Sequence, residues 1–386
     1  MAQLADRYPD DTEAAIFHAL ALNEAVDLND KTYARQFKAA AILQSIEAKQ
    51  PNHPGIAHYI IHSFDFAPIC RQGLPAAQRY ADLAPAAPHA LHMPSHTFSM
   101  LGMWRESIAA NMKTVTAGKD YAARHNLDGI YPVDPHAYDF MQYAYLQLGE
   151  DRKAKALMEA VGSIKKVFSP RLTTDTALAA VPGRYMLERQ DWHSAANLVV
   201  PAIVTAPPAK AITHFARALG AARAGGFAAA QADIDKLKEF NATLAKAGDA
   251  YWSNQVELQV LAAQAWFAQG RGDKPAALEL MRAAADREDN SEKHVAMENR
   301  LYPMRELLAD LLLEQGEAAA ALSEYETAMK NAPERLRGFY GAAKAAEASG
   351  NKEKATAYFR DLASLVRDAE GDRAEIRAAR QFNAAR

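Results

Sequence analysis

Apolar residues recur at spacings of three and four along nearly the whole chain, which is the period of an amphipathic helix. The strict alternation typical of strands is scarce. Proline and glycine fall at short intervals, so helices of roughly 12 to 18 residues are joined by short turns. Helices of this length with short connections pack as antiparallel neighbours. The pattern therefore predicts an all-α fold made of stacked antiparallel helix pairs.

A sequence period of 34 residues is clearest near the C-terminus. Gly316 ends an apolar run, and Gly350 ends the equivalent run 34 residues later. Pro333 lies between them, where the second helix of the pair should end. A 34-residue helix–turn–helix with small residues at the helix contacts is the tetratricopeptide pattern. We therefore predict a tetratricopeptide-like α-solenoid, with its clearest repeats over residues 302–368.

The same period applies to the N-terminal half. Repeats that begin at Pro54 and Pro88 are 34 residues apart, and a third begins at Pro135. The last step is 47 residues, which predicts a long loop near residues 119–131. We expect histidine-bearing repeats over residues 1–150 and further repeats over 151–386, joined in one continuous superhelix.

Composition excludes several classes of partner and site. The chain has 386 residues and a net charge of −3, which argues against nucleic acid as a partner. No stretch approaches the 18 apolar residues that would predict membrane insertion. Cys70 is the single cysteine, so neither an internal disulfide nor a thiolate-rich metal site is expected. The oligomeric state stays open.

Histidines concentrate at equivalent positions of successive repeats. Eight of the twelve lie between His53 and His136. Counted from the proline that opens each repeat, the polar residues are His58, His92 and Asp139 at position 5, His62, His96 and Tyr143 at position 9, His89 and His136 at position 2, and Asp65 at position 12.

Residues three, four or seven apart share one face of a helix, because each residue turns the helix by about 100°. Stacked repeats should therefore bring His58, His62, His92 and His96 into one cavity, where they would share an ion. His89 and His136 are candidate additional ligands. Second-shell or alternative ligands would be Asp65, Asp139 and Tyr143. Imidazole and carboxylate groups on facing helices suit zinc or copper, with iron as a further candidate.

Pro94 interrupts the second helix of this set. A proline inside a helix removes one hydrogen bond and bends the axis. A bend here would turn His89 and His92 relative to His96.

Five segments together resemble a large family of bacterial tetratricopeptide proteins of unassigned activity. They are HPGIAHYIIHS at 53–63, PHALHMPSH at 88–96, HAYD at 136–139, YPMRELL at 302–308 and FYGAAKAAE at 339–347. In such repeats, positions 2, 5, 9 and 12 of the first helix line the concave surface. The family usually carries an upstream segment with a secretory signal and additional histidine-bearing helices. The resemblance thus implies that the chain begins after that segment, and it implies a periplasmic protein if such a signal precedes it.

Two functions follow from these patterns. The first is metal binding by a His/Asp cluster in the concave groove, with or without catalysis. The alternative is a scaffold that holds a peptide or a partner protein in the same groove without catalysis. A small molecule or a peptide would be the groove ligand, and neither a substrate nor a reaction follows from the sequence.

Overall fold

The chain folds into helices from end to end. The computed structural model describes residues 1–28, 30–294, 297 and 300–384. Across these ranges there is no β-strand, only one isolated bridge between Ile130 and Val167. The predicted all-α fold is confirmed. None of the helices in the same ranges is both long enough and apolar enough to cross a membrane.

The N-terminal part contains ten α-helices and a short 3-10 helix at Cys70–Gly73. The α-helices are α1 (Ala2–Arg7), α2 (Thr12–Glu24), α3 (Ala34–Glu47), α4 (Pro54–Ser63), α5 (Leu74–Leu83), α6 (Pro88–His92), α7 (Pro94–Met100), α8 (Trp104–Arg124), α9 (Asp134–Gln147) and α10 (Asp151–Gly162).

The remaining described residues form eleven further helices. They are α11 (Leu172–Glu188), α12 (Trp192–Ala196), α13 (Pro207–Arg223), α14 (Phe227–Lys246), α15 (Ala250–Gly270), α16 (Lys274–Asp289), α17 (Met304–Gln315), α18 (Ala318–Asn331), α19 (Leu336–Ala348), α20 (Lys352–Leu365) and α21 (Ala374–Ala384).

Stacked helix pairs build the solenoid. Helices that follow one another pack together, and the first helix of a pair also packs on the first helix of the next, as α11, α13, α15 and α17 do. The largest apolar core runs through these pairs from Val161 to Ala355. A separate core under α2 to α7 extends from Ile16 to Phe98 and supports the histidine-bearing helices.

Proline and glycine set several helix ends as the sequence predicts. Pro54 and Pro88 open α4 and α6, where the missing N–H needs no partner. Gly316 ends α17 with φ +92°, and Gly350 follows α19 with φ +80°. Both lie in the left-handed region, which glycine adopts without steric cost.

The prediction of a long loop near residues 119–131 is wrong for its first half. Helix α8 runs for 21 residues to Arg124 and takes up residues 119–124, so the loop is confined to residues 125–133. No proline or glycine stands between Trp104 and Ala117, and the run Ala122–Ala123 continues the helix-forming composition. A short connection then leads to α9.

Pro94 breaks the hydrogen bonding of its helix but leaves the backbone course nearly helical. Helix α6 ends at His92 and α7 begins at Pro94. Met93 between them keeps right-handed helical angles, φ −52° and ψ −39°. The two segments therefore follow one another as a nearly continuous helix.

Distant parts of the chain return to the histidine-bearing helices. Trp104 Nε1 donates to the Glu334 carbonyl at 2.8 Å, and Leu336 N donates to Gln147 Oε1 at 3.0 Å. In the connection between α16 and α17, Lys293 reaches Asp65 just beyond the end of α4. The site is thus enclosed by residues from both halves of the sequence.

Candidate metal centre

Six imidazole rings meet between α4, α6, α7 and α9. They belong to His58 and His62 on α4, His89 and His92 on α6, His96 on α7 and His136 on α9. Ring contacts link the set, with centroids 5.1 Å apart for His58 and His89, 6.3 Å for His62 and His96, and 4.6 Å for His92 and His136. All six predicted ligands are therefore in one cluster.

The cluster divides into two groups of three. The inner trio is His92, His96 and His136, and the outer trio is His58, His62 and His89. Within each trio, one nitrogen from each ring lies within 4.8 Å of the others. The inner trio is buried: the exposed fraction of the surface is 0% for His92, 2% for His96 and 5% for His136. In the outer trio, His89 is exposed.

This grouping differs from the arrangement expected from the 34-residue period. The period sets His58 beside His92 and gives four histidines to one ion. In the structure His62 does lie beside His96, but the ring of His58 contacts His62 and His89. The period assumes a continuous helix through Pro94, whereas α6 ends at His92 and a new helix begins at Pro94.

Asn111 on α8 fixes the proton of His92. The Asn111 amide nitrogen donates to the Ser107 carbonyl at 2.8 Å, so its Oδ1 points the other way. That oxygen lies 2.7 Å from His92 Nδ1 and can only accept. His92 therefore carries its proton on Nδ1, and its Nε2 holds an unprotonated lone pair.

Asp65 places the proton of His96 on Nδ1 in the same way. His96 Nδ1 lies 2.9 Å from Asp65 Oδ2, and Lys293 Nζ lies 3.1 Å from the other carboxylate oxygen. Burial alone would raise the pKa of Asp65, but Lys293 and His96 overcome it and hold that pKa well below its usual range. The ionised carboxylate accepts a hydrogen bond from Nδ1–H, so the neutral form of His96 also presents a bare Nε2.

The two bare nitrogens face each other. His92 Nε2 and His96 Nε2 are 3.1 Å apart, and two lone pairs at this distance repel unless a cation lies beside them. A proton on His92 is disfavoured, because burial, followed by the charge of His136, lowers the pKa of His92 well below its usual value. Two nitrogens about 2.0–2.1 Å from one ion, roughly 90–110° apart, would lie about 2.8–3.4 Å from each other. The observed spacing matches that of two ligands on one ion.

His136 and Phe140 complete the inner pocket. His136 Nδ1 is buried and has no hydrogen-bond partner in the described part of the chain. The Phe140 ring lies 4.7 Å from His92 and 5.0 Å from both His96 and His136, centroid to centroid. This apolar wall limits water around the three nitrogens, which strengthens electrostatic interactions inside.

The outer trio has a related but looser geometry. His58 Nε2 and His62 Nε2 are 3.0 Å apart, and the Tyr80 hydroxyl lies 3.2 Å from His58 Nδ1. That hydroxyl either donates or accepts, so it leaves both tautomers open. Burial, followed by the neighbouring charges, lowers the pKa of His58 to about 2 and that of His62 to about 4. Both rings are neutral at pH 7, the form that binds metal.

Asp139 and Tyr143 have other partners. Asp139 forms a buried salt bridge with Arg184 at 3.2 Å, and the Tyr143 hydroxyl accepts from Arg335 at 2.5 Å. These contacts belong to a network of buried arginines and carboxylates between α9, α11 and α19. Among the three predicted second-shell or alternative ligands, Asp65 contacts a histidine of the cluster, His96.

Sequence reasoning missed the groups that orient the histidines. Asn111 carried a usable signal, because it lies on the apolar stripe Trp104, Ile108 and Val115 at helical spacing. A lone amide on a buried stripe needs a partner. Lys293 carried no such signal, since only the tertiary fold brings it to Asp65.

Comparisons with known proteins add little to this geometry. The sequence matches no protein-family model and is not significantly similar to any curated protein. Among solved structures, a tetratricopeptide repeat protein from Parabacteroides merdae is 14% identical, with a TM-score of 0.42. The similarity covers 77% of this chain and 98% of that one.

Proposed function

We propose that this protein binds a divalent transition-metal ion through the inner trio. The observation that carries the proposal is the pair of bare Nε2 atoms on His92 and His96, 3.1 Å apart. Their protons are held on the opposite side of each ring by Asn111 and Asp65. Such outer hydrogen bonds are the usual means of orienting metal-bound histidine.

The ligand set favours zinc or copper. Three imidazole nitrogens are offered, and the nearby carboxylate of Asp65 is already paired with Lys293. Non-haem iron sites of the common type use a carboxylate as well as two histidines. Three protein ligands also leave a coordination position for a small molecule, as in catalytic zinc sites. The motifs around His92 and His136 that resemble a bacterial family would then mark metal ligands.

Burial argues against the peptide-binding alternative at these residues. A peptide in an open groove contacts accessible side chains, whereas His92, His96 and His136 are at most 5% exposed. A metal ion requires much less space. The inner trio therefore supports an ion better than a peptide.

The test is metal binding by the full chain purified without an affinity tag. Chelator-treated protein should bind zinc stoichiometrically, measured by elemental analysis after gel filtration. The double variant His92→Ala/His136→Ala should lose the high-affinity ion. His193→Ala, which removes an exposed histidine on α12, should keep it.

Circular dichroism must show that the double variant retains its helices. If it does not, the more conservative His96→Gln replaces it, because glutamine keeps most of the side-chain volume. Folded wild-type protein that binds neither zinc nor copper would overturn the proposal. Full metal content in the folded variants would do the same.

A further inference from the structure

We infer that the outer trio holds a second ion, so that the six histidines form a dinuclear centre. This inference rests on the proposed function of the inner trio. His58, His62 and His89 offer one nitrogen each within 4.8 Å, the same limit that the inner trio meets. Both trios consist of three imidazoles and contain neither a carboxylate nor a thiolate.

The two trios repeat one local geometry. In each, two histidines four residues apart on a helix turn their Nε2 atoms toward each other, at 3.0 Å for His58 and His62 and 3.1 Å for His92 and His96. A third imidazole closes each set from a neighbouring helix, with His89 serving α4 and His136 serving α6 and α7. The outer trio therefore repeats the arrangement of three imidazoles that we propose binds the first ion in the inner trio.

Ring spacings favour two ions over one ion shared by all six rings. Ring centroids within the Nε2 pairs are 4.8 Å and 4.9 Å apart. Between the trios, the contacts of His62 with His96 and of His89 with His92 are both 6.3 Å. A single ion would need all its ligand nitrogens about 2.0–2.1 Å away, hence closely and evenly grouped. Two ions, one in each trio, fit the separation of the six histidines into two groups.

The two sites should differ in strength. The inner ligands are buried and oriented by Asn111 and Asp65, whereas His89 is exposed and lacks such a partner in the described residues. The outer ion also meets the repulsion of the inner one. Loading should therefore be biphasic, with the outer ion bound at least about tenfold more weakly, the lower end of the usual effect of outer hydrogen bonds.

Copper(II) titration followed by electron paramagnetic resonance tests the inference. The first equivalent should give the spectrum of an isolated ion. The second should broaden or remove that signal and produce a half-field transition, because ions in touching trios are close enough to couple. His58→Gln/His89→Gln should bind one ion and keep the isolated spectrum at every ratio. The matched control His125→Gln/His193→Gln should behave as wild type.

The failures are distinguishable. One ion in wild type, lost on changing His92 and His136 but kept on changing His58 and His89, overturns the dinuclear centre and leaves the proposed function intact. Two ions in the His58→Gln/His89→Gln variant also overturn it. Absence of any bound ion in wild type overturns both proposals.

Discussion

Asn111 determines which nitrogen of His92 is free to bind metal. Asn111→Ala removes the acceptor at 2.7 Å and should weaken the inner ion about 10- to 100-fold. Asn111→Asp keeps an acceptor oxygen in place and should retain most of the affinity. A competition titration of zinc against a chromophoric chelator measures both. Equal losses in the two variants would show that the hydrogen bond does not orient the ring.

Burial of neutral histidines should make the metal-free chain sensitive to acid. The pKa of His58 is lowered to about 2 and that of His62 to about 4 by burial, whereas unfolded histidine titrates near 6.5. Between these values the unfolded chain binds more protons, so stability is full above about pH 6.5 and falls as the pH drops toward 4. Urea midpoints of chelator-treated protein should therefore be lower at pH 5 than at pH 7.5. Equal midpoints at the two pH values would mean that these rings titrate normally.

The sequence predicts which histidines form the cluster better than it predicts their division into two trios. The repeated positions of His58, His62, His92 and His96 follow from helical and repeat periods, which local sequence determines. Their division into trios depends on how α4, α6, α7 and α9 pack together, which the 34-residue period does not contain. The partners of Asp139 and Tyr143 depend on arginines far away in the chain.

Helices α18 and α19 pack so closely that there is no space for a side chain at their contact. Gly341 on α19 packs against the ring of Tyr325 on α18, and a Cβ there would overlap that ring. Tyr325 is 1% exposed and has no room to move. Gly341→Ala should destabilise the chain by about 1–3 kcal/mol, the usual cost of overpacking.

Gly162 provides the control for that substitution. It ends α10 with no atom within 4 Å of the position that a Cβ would take. Gly162→Ala should be neutral or stabilise by up to about 1 kcal/mol, since alanine is the better helix former. Urea unfolding at pH 7.5 compares the two variants. A neutral Gly341→Ala would show that α18 and α19 are further apart than described.

The positions of proline and glycine determine which helix ends can be predicted from the sequence. Pro54, Pro88, Gly316 and Gly350 act through their own backbone limits, so their positions predict helix ends directly. The extension of α8 to Arg124 carries no such marker. The helix runs through Gly118, a residue that disfavours helix, so the breaker pattern does not predict this extension.

Arg335 is one of the residues that join distant helices of the molecule. It bonds both oxygens of Glu306 at 2.9 and 2.8 Å and pairs with Glu188 at 2.8 Å, all in the interior. Its bond to Tyr143 ties α19 to α9. Arg335→Leu leaves buried carboxylates unpaired, which should cost roughly 3–5 kcal/mol.

Arg305→Leu is the matched control. Arg305 contacts three carboxylates, but Asp286 among them is 69% exposed and the pairs lie near the surface. Its loss should cost no more than about 1 kcal/mol. Urea unfolding, with hydrogen exchange at α9, separates the two variants. Equal costs would mean that Arg335 does not hold the distant helices together.

Contacts between side chains far apart in the sequence cannot be predicted from the sequence alone. The stacking of neighbouring helices follows from local periods, but the pairing of Arg335 with Tyr143, and of Lys293 with Asp65, joins residues almost 200 or more positions apart. Nothing in either segment alone identifies its partner. The enclosure of the histidine cluster therefore becomes visible only in the folded chain.

X-ray absorption at the zinc edge tests the central claim most directly. Protein loaded with one equivalent of zinc should show about three imidazole nitrogens at about 2.0–2.1 Å, with outer-ring scattering typical of histidine. The Asn111→Asp variant should give the same first shell, because the ligands are unchanged. A first shell made only of oxygen, or one that keeps its imidazole scattering in the folded His92→Ala/His136→Ala variant, would contradict the inner trio as the metal site.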